Sequence, residues 1–259
     1  MNIVYFGNNW LGLKVLEWLI RDGNQISALV LHPMSTRRYG EQMLECLKNK
    51  AVLILDGSEL SERKNVEALS SVRADIGISV MFGYILRRDI FELFPKHCFN
   101  LHTSYLPYNR GSYPNVWSIV DQTPAGVSLH KIDEGVDTGA IIAREMIEVL
   151  PVDTGKTLHE RLTIAALELF QRSWKEIKNG YAVELDQKTS EGSSHKISDV
   201  DRIDFIDLEK LYKGKDLINI LRARSFPPYK GAYFIYEGRK IYINLSLYYD
   251  KTEEEEKCL

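Results

Sequence analysis

Over its first hundred residues the chain switches repeatedly between two hydrophobic periods, and few folds accommodate that switching. Short apolar runs at residues 2–6, 26–31, 52–55, 75–80 and 98–101 have strand length and strand composition. Between them lie helical patterns. In residues 10–21, Leu11, Val15, Trp18 and Leu19 repeat at helical spacing before Gly23, and residues 38–48 and 65–71 carry further helical segments. Strands separated by helices build βαβ units. The expected fold class is therefore α/β, a mainly parallel sheet with helices on both faces and ligands beyond the carboxyl ends of the strands.

The pattern changes after residue 103. A stretch rich in Tyr, Pro, Asn and Gly runs to residue 115 and reads as a long loop. Strands are expected at 126–132 and 140–149, and a long amphipathic helix at 158–179. Residues 186–200 are polar and serine-rich, the composition of a linker. Beyond them come a helix at 214–224, the pair Pro227-Pro228, and tyrosine-rich strands at 232–236 and 240–248 around Glu237-Gly238. The expected division is a catalytic domain over 1–185, a linker over 186–200 and a small β-rich subdomain over 201–259. The acidic run 253–256 reads as a solvated terminus.

Composition removes several function classes. With 33 basic against 36 acidic residues the net charge is −3, which argues against a dedicated nucleic-acid binder. Cys46, Cys98 and Cys258 form no CxxC pair, so neither a disulfide framework nor a cysteine metal site is expected, and no metal is called for. Apolar runs fall far short of a membrane span, and the first residues read as a strand, not a signal peptide. A cytoplasmic protein with no membrane partner is the expectation.

Two Asp-Thr-Gly triplets, 137–139 and 153–155, suggest an aspartic protease. Such enzymes place each triplet in its own all-β lobe, which an α/β chain does not offer. Asp153-Thr154 instead suits a helix cap. Gly7-Asn8-Asn9-Trp10-Leu11-Gly12 opens the first helix but matches neither GxGxxG nor a P-loop; its amides could face an anion.

The informative stretch is Phe99-Asn100-Leu101-His102-Thr103-Ser104-Tyr105-Leu106-Pro107. Asn100 and His102 are two apart near a strand end, so their side chains share one face. Asp137 follows in Ile132-Asp133-Glu134-Gly135-Val136-Asp137-Thr138-Gly139. An amide, an imidazole and a carboxylate at one strand end suit acyl transfer to an amine. The amide donates to the developing oxyanion, the imidazole takes the proton, and the carboxylate orients or charges the pair. With no Ser or Cys nucleophile in evidence, the transfer is expected to be direct.

Asn100-x-His102, then Ser104-x-Leu106-Pro107, Gly111 and Asp137-Thr138-Gly139, together resemble the formyltransferase family that uses N10-formyltetrahydrofolate, over roughly residues 1–180. The resemblance implies a Rossmann-like catalytic domain with Asn100, His102 and Asp137 as the catalytic trio. It implies a folate site against the loop Val80, Met81, Phe82, Gly83, Tyr84 and Ile85, and a homodimer formed through the C-terminal region.

Methionyl-tRNA formyltransferases are similar through the trio but carry a larger, basic C-terminal domain. Glycinamide ribonucleotide formyltransferases usually stop near the long helix. The tracts 104–111, 114–119 and 224–233 resemble the sugar N-formyltransferases, which act on dTDP-linked amino-dideoxy sugars made for bacterial surface polysaccharide (O-antigen, lipopolysaccharide). That implies a dTDP-amino sugar as partner, dTDP-4-amino-4,6-dideoxyglucose first among them. Tyr229, braced by two prolines, is the expected stacking face for the base. Asn9, His32, Arg222 and Arg224 are candidate pyrophosphate donors, and Tyr105 and Tyr108 are placed beside the sugar. Tyr236, Tyr242, Tyr248 and Tyr249 are expected to pack or to form a dimer contact. Three alternatives stay open: a 3-amino sugar acceptor, a formyl-folate hydrolase, and a nucleotide-sugar binding protein without catalysis.

Overall fold

The computed structural model describes residues 1–250. Elements follow in the order β1 (Asn2–Gly7), α1 (Asn9–Arg21), β2 (Gln25–Leu31), α2 (Gly40–Cys46), β3 (Leu53–Asp56), α3 (Arg63–Ser71), β4 (Ile76–Val80), α4 (Arg88–Phe91), β5 (Cys98–His102) and β6 (Arg110–Gly111). They continue with α5 (Pro114–Val120), β7 (Gly126–Lys131), β8 (Ile141–Met146), α6 (Gly155–Asn179), β9 (Ser194–His195), α7 (Asp201–Asp204), α8 (Gly214–Ala223), β10 (Tyr233–Tyr236) and β11 (Arg239–Tyr242). Seven strands form one sheet in the order β3-β2-β1-β4-β5-β7-β8. The first five run parallel; β7 and β8 run antiparallel.

The alternation of side chains along β1 shows how the sheet is covered. Ile3 and Tyr5 point into the larger core, against Val15 and Leu19 of α1 and Leu162 and Phe170 of α6. Val4 and Phe6 point the other way, into a second core with Leu69 of α3 and Ile90 of α4. Both faces of a parallel strand must be dry for this to work, and the unbroken apolar run of β1 provides that. Tyr5 keeps its hydroxyl satisfied by donating to the Gly12 carbonyl at 2.6 Å.

The long helix starts three residues earlier than its apolar pattern indicates. Thr154 caps it: its hydroxyl accepts from the Thr157 amide, and the Thr157 hydroxyl accepts from the Thr154 amide. Gly180, in the left-handed region at φ 74°, ends it. Asp153 is 2% exposed and binds the Leu150 amide, the Thr157 hydroxyl and Arg161. Capping, not protease chemistry, accounts for this second triplet.

Three local departures from the sequence reading matter. The 103–115 loop contains β6 and leads directly into α5, which Pro114 opens at its first position, where a missing N–H costs nothing. The 186–200 stretch is hydrogen-bonded to that loop, through parallel pairing of β6 with β9 and through the Ser193 hydroxyl, which receives the Asn109 amide at 2.9 Å. Finally, β11 ends at Tyr242, short of the expected 248. The acidic run 253–256 and Cys258 lie outside the described residues.

Trp174 of α6 stacks on Phe170, meets Trp18 edge-on, and donates its indole N–H to Asp22 at 3.0 Å. Trp174→Ala should lower the free energy of unfolding by about 3–5 kcal/mol, measured by urea denaturation.

Candidate active site

The candidate trio meets at the junction of parallel and antiparallel strands. β5 places Asn100 and His102 on one face, and antiparallel pairing with β7 sets His130 directly across from Asn100. The turn after β7 brings Asp137 over them, its backbone in the left-handed region at φ 54°. Asn100 Nδ2 donates to Asp137 Oδ1 at 3.3 Å and faces His130 Nε2 at 3.2 Å. The Gly111 amide, on β6, donates to Asp137 Oδ2 at 2.9 Å. His102 Nε2 lies 3.5 Å from the same oxygen.

This surrounding sets the protonation states. Burial by itself raises the Asp137 carboxyl, but the imidazole of His102, the His130 hydrogen bond and the Gly111 amide outweigh it and hold the group well below the usual carboxylate range. Asp137 is therefore an anion. Burial pushes His102 below its ordinary value of 6.5, with Asp137 opposing and His130 adding to the shift. Neutral imidazole results. Its Nε2 is buried with no hydrogen-bond partner among the described residues, while the backbone of Asn109 bonds the ring. An unpartnered lone pair next to a carboxylate is an atom ready to take a proton, because the cation so formed is stabilised at once.

His130 was not foreseen from the sequence. Its Nδ1 donates to the Lys131 carbonyl at 2.7 Å, and its Nε2 faces both Asn100 Nδ2 at 3.2 Å and Asp137 Oδ1 at 3.4 Å. A histidine ending the alternating run Gly126-Val127-Ser128-Leu129-His130 was the available signal, but only the antiparallel register brings it to Asn100.

A cleft of about 1150 Å³ opens beside the trio, with Thr103 and Met81 on its floor at the ends of β5 and β4. Asn9, Arg38 and Tyr39 line one wall, His159, Glu160 and Thr163 of α6 another, and Arg224, Phe226, Tyr229 and Lys230 a third. Asn9, Met81, Arg224 and Tyr229 are thus where a ligand could meet them. Tyr229 is 46% exposed, receives a hydrogen bond from Arg38, and has the Arg38 guanidinium 5.2 Å from its ring centre. Two nitrogens of Arg224 already bind the Asp204 carboxylate, so it brings less positive charge to the cleft than Arg38 or Lys230.

Four expected substrate contacts fall elsewhere. Arg222 is not a pyrophosphate donor: it is 9% exposed, and its guanidinium donates to the carbonyls of Leu150, Pro151 and Asp153 and to Asn219. His32 is not among the residues lining the cleft: its Nε2 accepts the Gly83 amide at 3.0 Å, and burial lowers the proton affinity of the ring. It braces the 80–85 loop, wedged against Phe82 and Tyr84. Tyr105 lies against the Arg144 guanidinium, 4.4 Å from its ring centre, and Tyr108 sits in the tight turn where its carbonyl accepts the Ser104 hydroxyl. Neither lines the cleft.

The 80–85 loop leaves β4 through Val80, which is buried, and Met81, which is left-handed at φ 55°. Among the described residues the amides of Phe82, Tyr84 and Ile85 find no internal hydrogen-bond partner, so the loop presents backbone donors outward. That suits a planar heterocycle with several acceptors and donors on its edge.

A family model described as Formyl transferase matches residues 11–173, which includes the whole trio, and one described as N-formyltransferase dimerization C-terminal domain matches residues 199–249. The chain belongs to the formyl transferase family. Among solved structures, a 4-N formyltransferase from Francisella tularensis is similar with a TM-score of 0.83 at 26% identity, covering 96% of this chain and 98% of that one. The formyltransferase PseJ from Anoxybacillus kamchatkensis, in complex with UDP-4,6-dideoxy-4-formamido-L-AltNAc and tetrahydrofolate, is 29% identical, with a TM-score of 0.57 over 83% of this chain and 94% of that one. A methionyl-tRNA formyltransferase of Agathobacter rectalis is 29% identical over 246 residues, 92% of this chain and 77% of the relative. This formyltransferase has no described helix long and apolar enough to cross a membrane.

For this formyltransferase, Arg222→Met should cost about 1–3 kcal/mol of stability by leaving buried carbonyls without donors, measured by chemical denaturation. Formyl transfer, measured on the folded variant, should stay close to that of the unaltered protein.

Proposed function

We propose that this enzyme transfers the formyl group of N10-formyltetrahydrofolate to the amine of a nucleotide-linked amino-dideoxy sugar, with dTDP-4-amino-4,6-dideoxyglucose as the acceptor. One observation carries the reading: the neutral His102 and the ionised Asp137 lie 3.5 Å apart where β5 runs, through Thr103, into a cleft large enough for a nucleotide sugar, with an aromatic face and cations on its walls. Tyr229 offers its ring to the base, and Arg38, Lys230 and Asn9 offer donors to the diphosphate. The two similar structures bear on the position of the amine, since one is a 4-N formyltransferase and the other holds a 4-formamido sugar. The dTDP carrier rests on the tracts around 104–119 and 224–233.

In the proposed mechanism the folate supplies the formyl carbon, bound against residues 80–85. As the sugar amine bonds to that carbon, His102 Nε2 takes the proton the nitrogen sheds, an effect typically worth roughly 10²–10⁴ in rate. Asp137, 3.5 Å away, stabilises the imidazolium. Asn100 donates an N–H to the oxygen that gains the carbonyl electron pair, usually worth about 3 kcal/mol. Its bonds to Asp137 and His130 are long, and turning the carboxamide about Cβ–Cγ frees one hydrogen for this. When the tetrahedral carbon collapses, the bond to N10 breaks and the proton held at His102 goes to that nitrogen, leaving the formamido sugar and tetrahydrofolate.

A tRNA acceptor is disfavoured by the net charge of −3 and by the C-terminal part, which matches a dimerization domain. That part exposes Tyr236, Tyr242, Tyr248 and Tyr249, as a homodimer formed there requires. The proposed setting is cytoplasmic synthesis of sugars for surface polysaccharide.

The deciding assay incubates the protein with N10-formyltetrahydrofolate and a panel of dTDP- and UDP-linked 3- and 4-amino sugars, followed by mass spectrometry. A gain of one formyl group on the dTDP-linked 4-amino sugar is expected; no gain on any sugar refutes the reading. His102→Asn should abolish turnover and leave nucleotide-sugar binding nearly intact. Because burial lowers the proton affinity of His102, its basic form persists into mild acid. The acid limb of kcat/KM should therefore have its midpoint below pH 6.5.

A further inference from the structure

We propose that Gln187 is a positioning residue for the transfer, its carboxamide fixing the left-handed turn that aims Asp137 at His102. The proposal rests on the catalytic reading above. Gln187 Nε2 donates to the Asp137 carbonyl at 3.0 Å and to the Gly139 carbonyl at 2.6 Å. Two carbonyl acceptors settle which end of the amide faces the turn, because an oxygen there would be repelled by both.

A non-glycine residue at φ 54° is held against its preference, so the turn needs outside support. The support comes from a segment that has no other evident task. It docks beside β8, where Ile141 and Leu185 exchange backbone hydrogen bonds at 2.8 and 2.9 Å, and it reaches β6 through the β6–β9 pairing. The same strap therefore holds both parts that contact the Asp137 side of the site: the turn, through Gln187, and the Gly111 amide, through β9. Gln187 Oε1 is buried with no partner among the described residues. An apolar side chain would avoid that cost, so the site keeps glutamine for its N–H groups.

The experiment compares the full-length protein with Gln187→Ala, Gln187→Glu and the reference variant Asp137→Asn. Steady-state kinetics give kcat and KM for both substrates, and NMR follows the His102 imidazole through its titration, assigned with His102→Asn. In Gln187→Ala, kcat should fall roughly ten- to a hundredfold while KM for the amino sugar changes less than about twofold, as expected for misplacement of a catalytic group. The His102 titration should move to lower pH, toward its position in Asp137→Asn, because the carboxylate that favours the imidazolium has drifted away while burial and His130 still oppose it. Gln187→Glu keeps the shape but turns lone pairs on two carbonyls, and should be impaired at least as much. Wild-type kcat in Gln187→Glu, or an unmoved His102 titration in both Gln187 variants, overturns the proposal. So does a loss of activity that only tracks a lower melting temperature. If the unaltered protein formylates no sugar, the acceptor reading fails by itself, and the titration still decides the role of Gln187.

Discussion

A carboxylate removed from water needs enough donors and positive charge around it to replace its hydration, or it takes up a proton. Asp137 meets that demand with partners drawn from three separate strands. Asn100 comes from β5, His130 from β7 and the Gly111 amide from β6, while His102, at the end of β5, stands 3.5 Å away and adds its attraction once it is protonated. None of these can shift without disturbing the others, because each occupies its own side of the same small group. The anion is thus a reaction partner in the proposed mechanism and also the point on which the strand junction, the 105–112 loop and the turn after β7 are assembled.

The sheet topology explains why such an assembly forms at this spot. Up to β5 the strands are parallel and their carboxyl ends all open on the same side. The reversal at β7 brings a strand's amino-terminal half alongside the carboxyl end of β5, so that residues from two chain directions face the same point. Because the pairing is antiparallel, the turn 133–139 leaves β7 beside the amino end of β5, Lys131 lying opposite Phe99, and folds back along that strand to bring Asp137 to Asn100 and His102. The cleft then lies beyond the strand ends, with α6 and the 223–230 segment closing it, a usual place for a ligand in an open α/β sheet.

Much of this was legible in the sequence, and for a physical reason. Strand and helix periods are local, and so is the spacing that puts Asn100 and His102 on one face. Asn100 and His102 are therefore visible together in the order of the residues, while Asp137, further along the chain, joins them through the family resemblance. What was not legible depends on pairing across distance. His130 gains its meaning only from the antiparallel register with Asn100, and Gln187 from a polar stretch whose composition suggested a tether. Arg222 and His32 show the opposite error. Each is a residue type that suits an anion, but burial committed the one to three backbone carbonyls and the other to the Gly83 amide. Arg38, which faces Tyr229, lay in a stretch read only as helix.

Two of the parts that build the cleft share no strand. The end of the sheet supplies its floor, and the segment from Arg224 to Lys230 supplies the aromatic wall where Tyr229 stands. Mutational drift in that wall leaves the buried carboxylate and its donors untouched. An ancestor with this arrangement could change the molecule it modifies by replacing one short segment near its carboxyl terminus, keeping the acyl chemistry intact. On the proposed reading, acceptor choice and reactivity are then separately heritable, and lineages sharing the same strand-end chemistry can diverge in what they formylate.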